Sequence, residues 1–319
     1  MFNWEKLGRV YNPLDFPDRP GWMDEFGLAP STLVLEDVVR VYFGCRPKRD
    51  ENGMVVTHTA YLDLALDDLK TIKGFSSTPV ISLGEKGSFD EFGTYPLSCI
   101  QRENDILAYY AGWTRSESVP FNVAIGAARS TDGGNSFSRV GPGPAIPYSL
   151  EEPFVMSGPK LRFFDGKYYL FYIAGKKWLS IDGRPEISHK IRMASSVDGI
   201  NWVKQNSNII PDFWDPDESQ ASPDVFFSNG VYHMFFCGWV PQTFRKTRGR
   251  KIGYAWSHDL INWNRDDSKV GIHESTKGWD SEMIAYPHIF VAGGETYMLY
   301  IGNEVGRYGF GLASLHGSL

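Results

Sequence analysis

The chain is patterned as short apolar runs separated by polar turns, and no segment of twelve residues or more repeats at the helical period. The runs VVRVYFG (38–44), ILAYYAG (106–112), KYYLFYIAG (167–175), VYHMFFCG (231–238) and TYMLYIG (296–302) are rich in aromatic and β-branched residues, and each ends in glycine. That composition predicts strands. A further stretch, YLDLALDDL (61–69), alternates Leu62, Leu64 and Leu66 in the period of a half-buried strand.

The runs recur at a fixed interval. Each follows a proline, and Pro30, Pro96, Pro159, Pro223 and Pro287 are spaced by 66, 63, 64 and 64 residues. The segments leading into them are related: DEFGLAP (24–30), DEFGTYP (90–96), EEPFVMSGP (151–159), DESQASP (217–223) and DSEMIAYP (280–287). Turn signals such as Asp165-Gly166, Asn229-Gly230 and Gly293-Gly294 lie between proline and glycine. After three of the aromatic runs comes Ser-x-Asp, a turn and an aromatic, around Asp132, Asp198 and Asp259. An aspartate there caps its own backbone amides, and the aromatic packs between repeats.

Four strands in about 64 residues make a propeller blade with long loops. Five such units fill the 319 residues. The expected fold is therefore all-β: a single-domain, five-bladed propeller with four-stranded antiparallel blades. The blades fall at approximately 22–87, 88–149, 150–214, 215–277 and 278–319. Residues 1–14 would supply the last outer strand, closing the ring and protecting its edges.

Composition narrows the partners. The net charge is −6, and the longest basic tract is RKTRGRK (245–251), so nucleic acid is excluded as a partner. Cys45, Cys99 and Cys237 have neither the number nor the spacing of a disulfide framework or zinc site, which points to a reducing compartment. The first residues lack an apolar signal core and no run approaches 18 apolar residues, so no membrane span and a cytoplasmic location are expected. No cofactor is expected. Asp215-x-Asp217 lacks the spacing of an EF-hand, and a Ca2+ in the central channel is the one ion left open. Composition leaves the oligomeric state open.

The acids leading into the prolines are the candidate chemistry. Asp24, Glu25, Asp90, Glu91, Glu151, Glu152, Asp217, Glu218, Asp280 and Glu282 come from five blades and would converge on the channel mouth. The glycine-ended strands would deliver Arg46, Trp113, Lys176, Lys177, Trp178, Trp239, Asn303 and Glu304 to the same face, with His189 nearby. Carboxylates in such a ring could act as acid, base or nucleophile at a glycosidic bond, like charges raising one pKa, while aromatic faces stack on sugar rings.

The whole chain resembles the five-bladed propeller glycoside hydrolases of families 32, 43, 62, 68 and 130. SGPKLRFFDGKYYLFYIAG (157–175) is similar to the family 43 segment carrying the acid Glu, and STDGGNSF (130–137) looks like the sialidase Asp box. Those families place acids directly before the first two prolines, where this chain has Ala29 and Tyr95, and Ser157 stands in place of the acid Glu. The chain is more similar to roughly 320-residue glycosidase-like proteins encoded beside bacterial surface-polysaccharide genes. The matching stretches are GWTRSESVPFNVAIGAARSTDGGNSF, KKWLSIDGRPEISHKIRMASSVDGINW and GWDSEMIAYPHIF with YMLYIGN.

The expected activity is a glycoside hydrolase or transglycosidase acting on a surface glycan, its precursor or a small glycoside. Glu152 would be the general acid, Asp90 or Glu91 the base or pKa modulator, and Glu282 or Asp280 a further acid or base. Glu25 and Glu218 complete the catalytic candidates. Arg46, Trp113, Lys177, Trp178, His189, Trp239 and Asn303 would bind substrate. The alternatives are a non-catalytic carbohydrate-binding propeller, or a sugar phosphorylase or sugar-nucleotide enzyme with phosphate held by Arg46, Lys177 and Arg248.

Overall fold

The computed structural model describes residues 1–247 and 249–317. It is an all-β five-bladed propeller of antiparallel four-stranded sheets. The chain opens with β1 (Trp4–Tyr11). Blade one is β2 (Glu25–Val34), β3 (Val38–Arg46), β4 (His58–Ala65) and β5 (Ile72–Phe75). Blade two is β6 (Leu97–Gln101), β7 (Ile106–Thr114), β8 (Asn122–Ser130) and β9 (Ser138–Arg139). Blade three is β10 (Phe154–Phe164), β11 (Lys167–Ile181), β12 (Arg184–Ser196) and β13 (Val203–Lys204). Blade four is β14 (Ser219–Ser228), β15 (Val231–Trp239), β16 (Lys251–Ser257) and β17 (Asn264–Arg265), with a short helix α1 (Pro241–Thr247) after β15. Blade five is β18 (Ala285–Ala292), β19 (Glu295–Ile301) and β20 (Phe310–Leu315), and β1 pairs with β20 as its outer strand.

The aromatic runs are the second strands of their blades, buried along most of their length; in β7 every residue from Ile106 to Gly112 is inaccessible. Their terminal glycines have one physical cause. A Cβ on Gly44, Gly112, Gly175, Gly238 or Gly302 would lie within 2.6 Å of Tyr95, Phe89, Phe154, Trp214 or Trp279 respectively. In each blade a residue from the lead-in to an inner strand lies across bare backbone.

The Ser-x-Asp turns act as caps. Asp198 Oδ1 accepts from the backbone N–H of Ile200 and Asn201, both at 2.8 Å, and Asp259 repeats this with Ile261 and Asn262. The following aromatics bind neighbouring blades: Trp202 Nε1 donates to Tyr109 Oη at 2.7 Å, and Phe137 packs on Tyr42.

Pro30, Pro159, Pro223 and Pro287 sit on inner strands, lack an N–H, and break the ladder to the second strand, whereas Pro96 stands just before β6. In blades one, three, four and five the register slips there. The residue before the proline is left-handed: Ala29 at φ 45°, Gly158 at 60°, Ser222 at 49° and Tyr286 at 53°. Blade two has a cis Tyr95–Pro96 bond at that point instead. A bulge re-aims the side chains on either side of it, and four of the five blades carry one at this point.

Candidate functional site

Four of the ten acids expected at the channel mouth are taken up inside their own blades. Asp90, Glu152, Glu218 and Asp280 are buried, and each is bound by a cation from the outermost strand of its own blade. Arg139 Nη2 lies 2.7 Å from Asp90, Lys204 Nζ 2.6 Å from Glu152, Arg265 Nη1 2.5 Å from Glu218, and Lys6 Nζ 2.6 Å from Asp280. Tyr110, Tyr172 and Tyr300 donate to the first, second and fourth of these carboxylates. Burial, with those carboxylates adding, pushes all three phenols far above their usual range. In blade four Phe236 replaces the tyrosine, and the backbone N–H groups of Phe213 and Trp214 bind Glu218. These are radial clamps joining the inner end of a blade to its rim.

The remaining acids are tied more loosely. Asp24 pairs with Arg19 at 2.8 Å, and Asp217 with Lys177 at 2.5 Å. Glu91 accepts from the backbone of Gly87, while Glu151 and Glu282 are exposed. Glu25 is opposite Arg46 in the sheet but bonds Arg307 at 2.8 Å, and Arg307 also reaches Glu304 at 3.6 Å. Asn303 accepts the backbone N–H of Glu282 and donates to Gly278, a local turn contact.

On the axis, directly after the prolines, lie residues that the repeat marks but that acid-hunting passes over: Lys160, Asp224 and His288. Thr32 donates its backbone N–H to His288 Nε2 at 2.9 Å, so the ring hydrogen is on Nδ1. Nδ1–H faces Asp224 Oδ2 at 2.7 Å. Arg162 binds the other oxygen of Asp224, and Lys160 Nζ lies 3.7 Å from Asp224 and 3.4 Å from Pro30 O. Burial lowers the Lys160 pKa to about 8 against the pull of Asp224, and burial with the Lys160 charge lowers His288 to about 3. Two cations already surround the one axial carboxylate, a donor set that does not suit Ca2+. Among the described residues no cluster of three or more His, Cys, Asp or Glu is arranged for a metal.

Above this floor the mouth is aromatic and cationic. Tyr95 stacks on Trp113 with centroids 5.4 Å apart and planes 6° apart, and the arc continues through Phe121 to Trp178. Arg46 donates to Thr57 Oγ1 at 3.1 Å and approaches Tyr95 Oη at 3.4 Å. Across the mouth, Arg250 lies 4.0 Å over Trp239 and donates to Tyr286 Oη at 2.7 Å. His189 bonds Ser219 through Nδ1 at 2.8 Å and meets Trp239 edge-on. Burial, then the charges of Arg250 and Lys190, hold His189 neutral by lowering its pKa to about 3.

The structure thus brings Arg46, Trp113, Trp178, His189 and Trp239 to one end of the channel and leaves Lys177 on its own carboxylate. Arg248 lies outside the described residues. Sequence reasoning missed Tyr95 and Tyr286, whose signal is their place before a proline, and Arg250, two residues beyond the Arg248 expected to hold phosphate.

No family model matches the chain. Two curated relatives, "Uncharacterized protein MT1551" and "Uncharacterized protein Rv1502" of Mycobacterium tuberculosis, are each 33% identical over 315 residues, covering 98% of this chain and 99% of the relative. Among solved structures, one described as "Glycoside hydrolase" superposes with a TM-score of 0.74 at 14% identity, over 97% of this chain and 90% of its own. A thermostable family-43 glycoside hydrolase gives 0.62 at 14%, over 92% and 88%. A glycosyl hydrolase from Bacteroides ovatus gives 0.68 at 13%, over 98% and 93%. At that identity the likeness is one of fold. Matched along 98% of its length at 33% identity, the chain belongs to the family of these mycobacterial proteins, and its five-bladed propeller is the fold of glycoside hydrolases.

Proposed function

We propose that this protein binds carbohydrate at the channel mouth, a glycan of a bacterial surface polysaccharide or its precursor, without hydrolysing it through the blade acids. One observation carries the reading. Asp90, Glu152, Glu218 and Asp280 are consumed by buried ion pairs, whereas Trp113, Phe121 and Trp178, which continue the arc from the buried Tyr95, keep partly exposed rings at the mouth. Aromatic faces of this kind stack on the C–H faces of sugar rings, and scattered polar groups fix orientation. The shared fold of proteins described as glycoside hydrolases supports carbohydrate as the ligand class.

Hydrolysis is the second reading, and Glu25 favours it. Its side chain is 29% exposed, it stands beside Arg46, and with Glu304 it places two solvent-reaching carboxylates on the single guanidinium of Arg307. Two solvent-reaching carboxylates in one neighbourhood are the groups that acid/base cleavage of a glycosidic bond uses.

Calorimetry against a panel of bacterial polysaccharide fragments, run beside hydrolysis assays on the same fragments and on nitrophenyl glycosides, separates the two. Binding without turnover is the expected result. Turnover that Glu25→Gln abolishes while affinity persists would establish hydrolysis instead, and a panel with no binder would refute the carbohydrate reading.

A further inference from the structure

The geometry points to an anionic substituent on that carbohydrate, a carboxylate or phosphate, held by Arg250. This rests on the carbohydrate reading and adds the ligand's charge to it.

A guanidinium has five N–H donors and is always charged. Arg250 uses one in a described hydrogen bond, to Tyr286 Oη at 2.7 Å. Its Nε is buried with no partner. The rest of its surroundings are rings: its carbon lies 4.0 Å over Trp239, 4.9 Å over Phe244 and 5.4 Å over Tyr286. Among the described residues no carboxylate reaches it. Every clamp cation in the blades has a carboxylate, and Arg250 at the mouth has none among the described residues. A half-buried guanidinium with unused donors is costly unless an anion completes it.

Its neighbours keep that place open for an anion. His189 stays neutral beside Arg250 and so adds no second charge to be neutralised. Tyr286 holds one edge of the fork and feels Tyr95 across the mouth. Beyond Tyr95 is Arg46, whose described partners are two hydroxyls and the face of Phe26. A sugar stacked on the aromatic arc would therefore have a cation at either end, with Arg250 offering the planar fork that carboxylates and phosphates accept in pairs.

The test uses the full chain and three probes, glucose, glucuronate and glucose 1-phosphate, with binding read by saturation-transfer NMR at low ionic strength. At least one anionic sugar should bind roughly tenfold more tightly than glucose, and the preference should shrink as salt is added. A preference for glucose 1-phosphate identifies phosphate as the group, and one for glucuronate identifies carboxylate. Arg250→Met, which keeps the stem against Trp239, should abolish the preference while glucose binding persists, and Arg250→Lys should retain part of it. Equal affinity for charged and neutral sugars, or a preference unchanged in both variants, would overturn the anion assignment and leave the carbohydrate reading standing. Failure of all three probes, together with every fragment of the panel above, would remove both.

Discussion

Lys204 Nζ sits 2.6 Å from Oε2 of Glu152, and the lysine comes from the rim of the blade whose inner strand the glutamate introduces. Among the described residues the side-chain partners of Glu152 all belong to the third blade, which it ties together radially, with Tyr172 on its other side.

Glu152→Gln should therefore act on stability. Leaving Lys204 beside a neutral amide in a buried site costs about 3–5 kcal/mol. Urea unfolding would show this as a lower midpoint at constant slope. Adding Lys204→Met should recover much of the loss, because the pair is then removed whole. A variant of full stability and altered ligand chemistry would contradict the clamp.

The same substitution logic extends to Asp280 and Lys6, where the clamp crosses between the two ends of the chain. Lys6→Met should destabilise by a similar amount, about 3–5 kcal/mol, and hydrogen exchange should rise first in β1 and β20. Uniform exchange across all blades would argue against a local clamp.

Acid should weaken the protein earlier than its carboxylates would. His189 and His288 are held near pKa 3 when folded, against an ordinary value of 6.5. Between those limits the unfolded chain binds protons that the folded chain refuses. Stability therefore falls as pH drops from 6.5 towards 3, by up to about 1.4 kcal/mol per pH unit for each histidine. Denaturation midpoints at pH 7.5, 6 and 5 would show the decline, and His288 should appear in NMR spectra as the Nδ1–H tautomer at pH 5. A flat profile over that range would refute the neutral burial of both rings.

Trp178 stands on the long β11–β12 hairpin and ends the aromatic arc. Trp178→Ala should leave folding nearly intact yet weaken glycan binding by about 1–3 kcal/mol, a typical loss for an aromatic anchor. Calorimetry on the fragment panel measures this directly.

The propeller was legible in the sequence because its landmarks are backbone demands. A proline interrupts the inner ladder in four blades, a glycine accepts a ring across its Cα in all five, and an aspartate caps the Ser-x-Asp turn in three. The clamps were half legible. The acids before the prolines stood out, but their partners follow the turn aromatics by two residues: Phe137-Ser138-Arg139, Trp202-Val203-Lys204, Trp263-Asn264-Arg265 and, from the other end of the chain, Trp4-Glu5-Lys6. Reading those cations together with the acids pairs them off. The mouth was least legible, because Arg46 and Arg250 are separated by some two hundred residues and acquire meaning only through Tyr95 and Tyr286.

The pairing of β1 with β20 fixes an order of events during synthesis. β1 leaves the ribosome with its hydrogen-bonding edge unmatched, and β20, its partner, follows only after all four complete blades have been made. Four blades can be assembled while the fifth lacks both its rim and the lysine that reaches Asp280. Ring closure is thus withheld until β20 has been made, and a chain arrested before residue 310 would carry an open sheet edge for chaperones or proteases to detect.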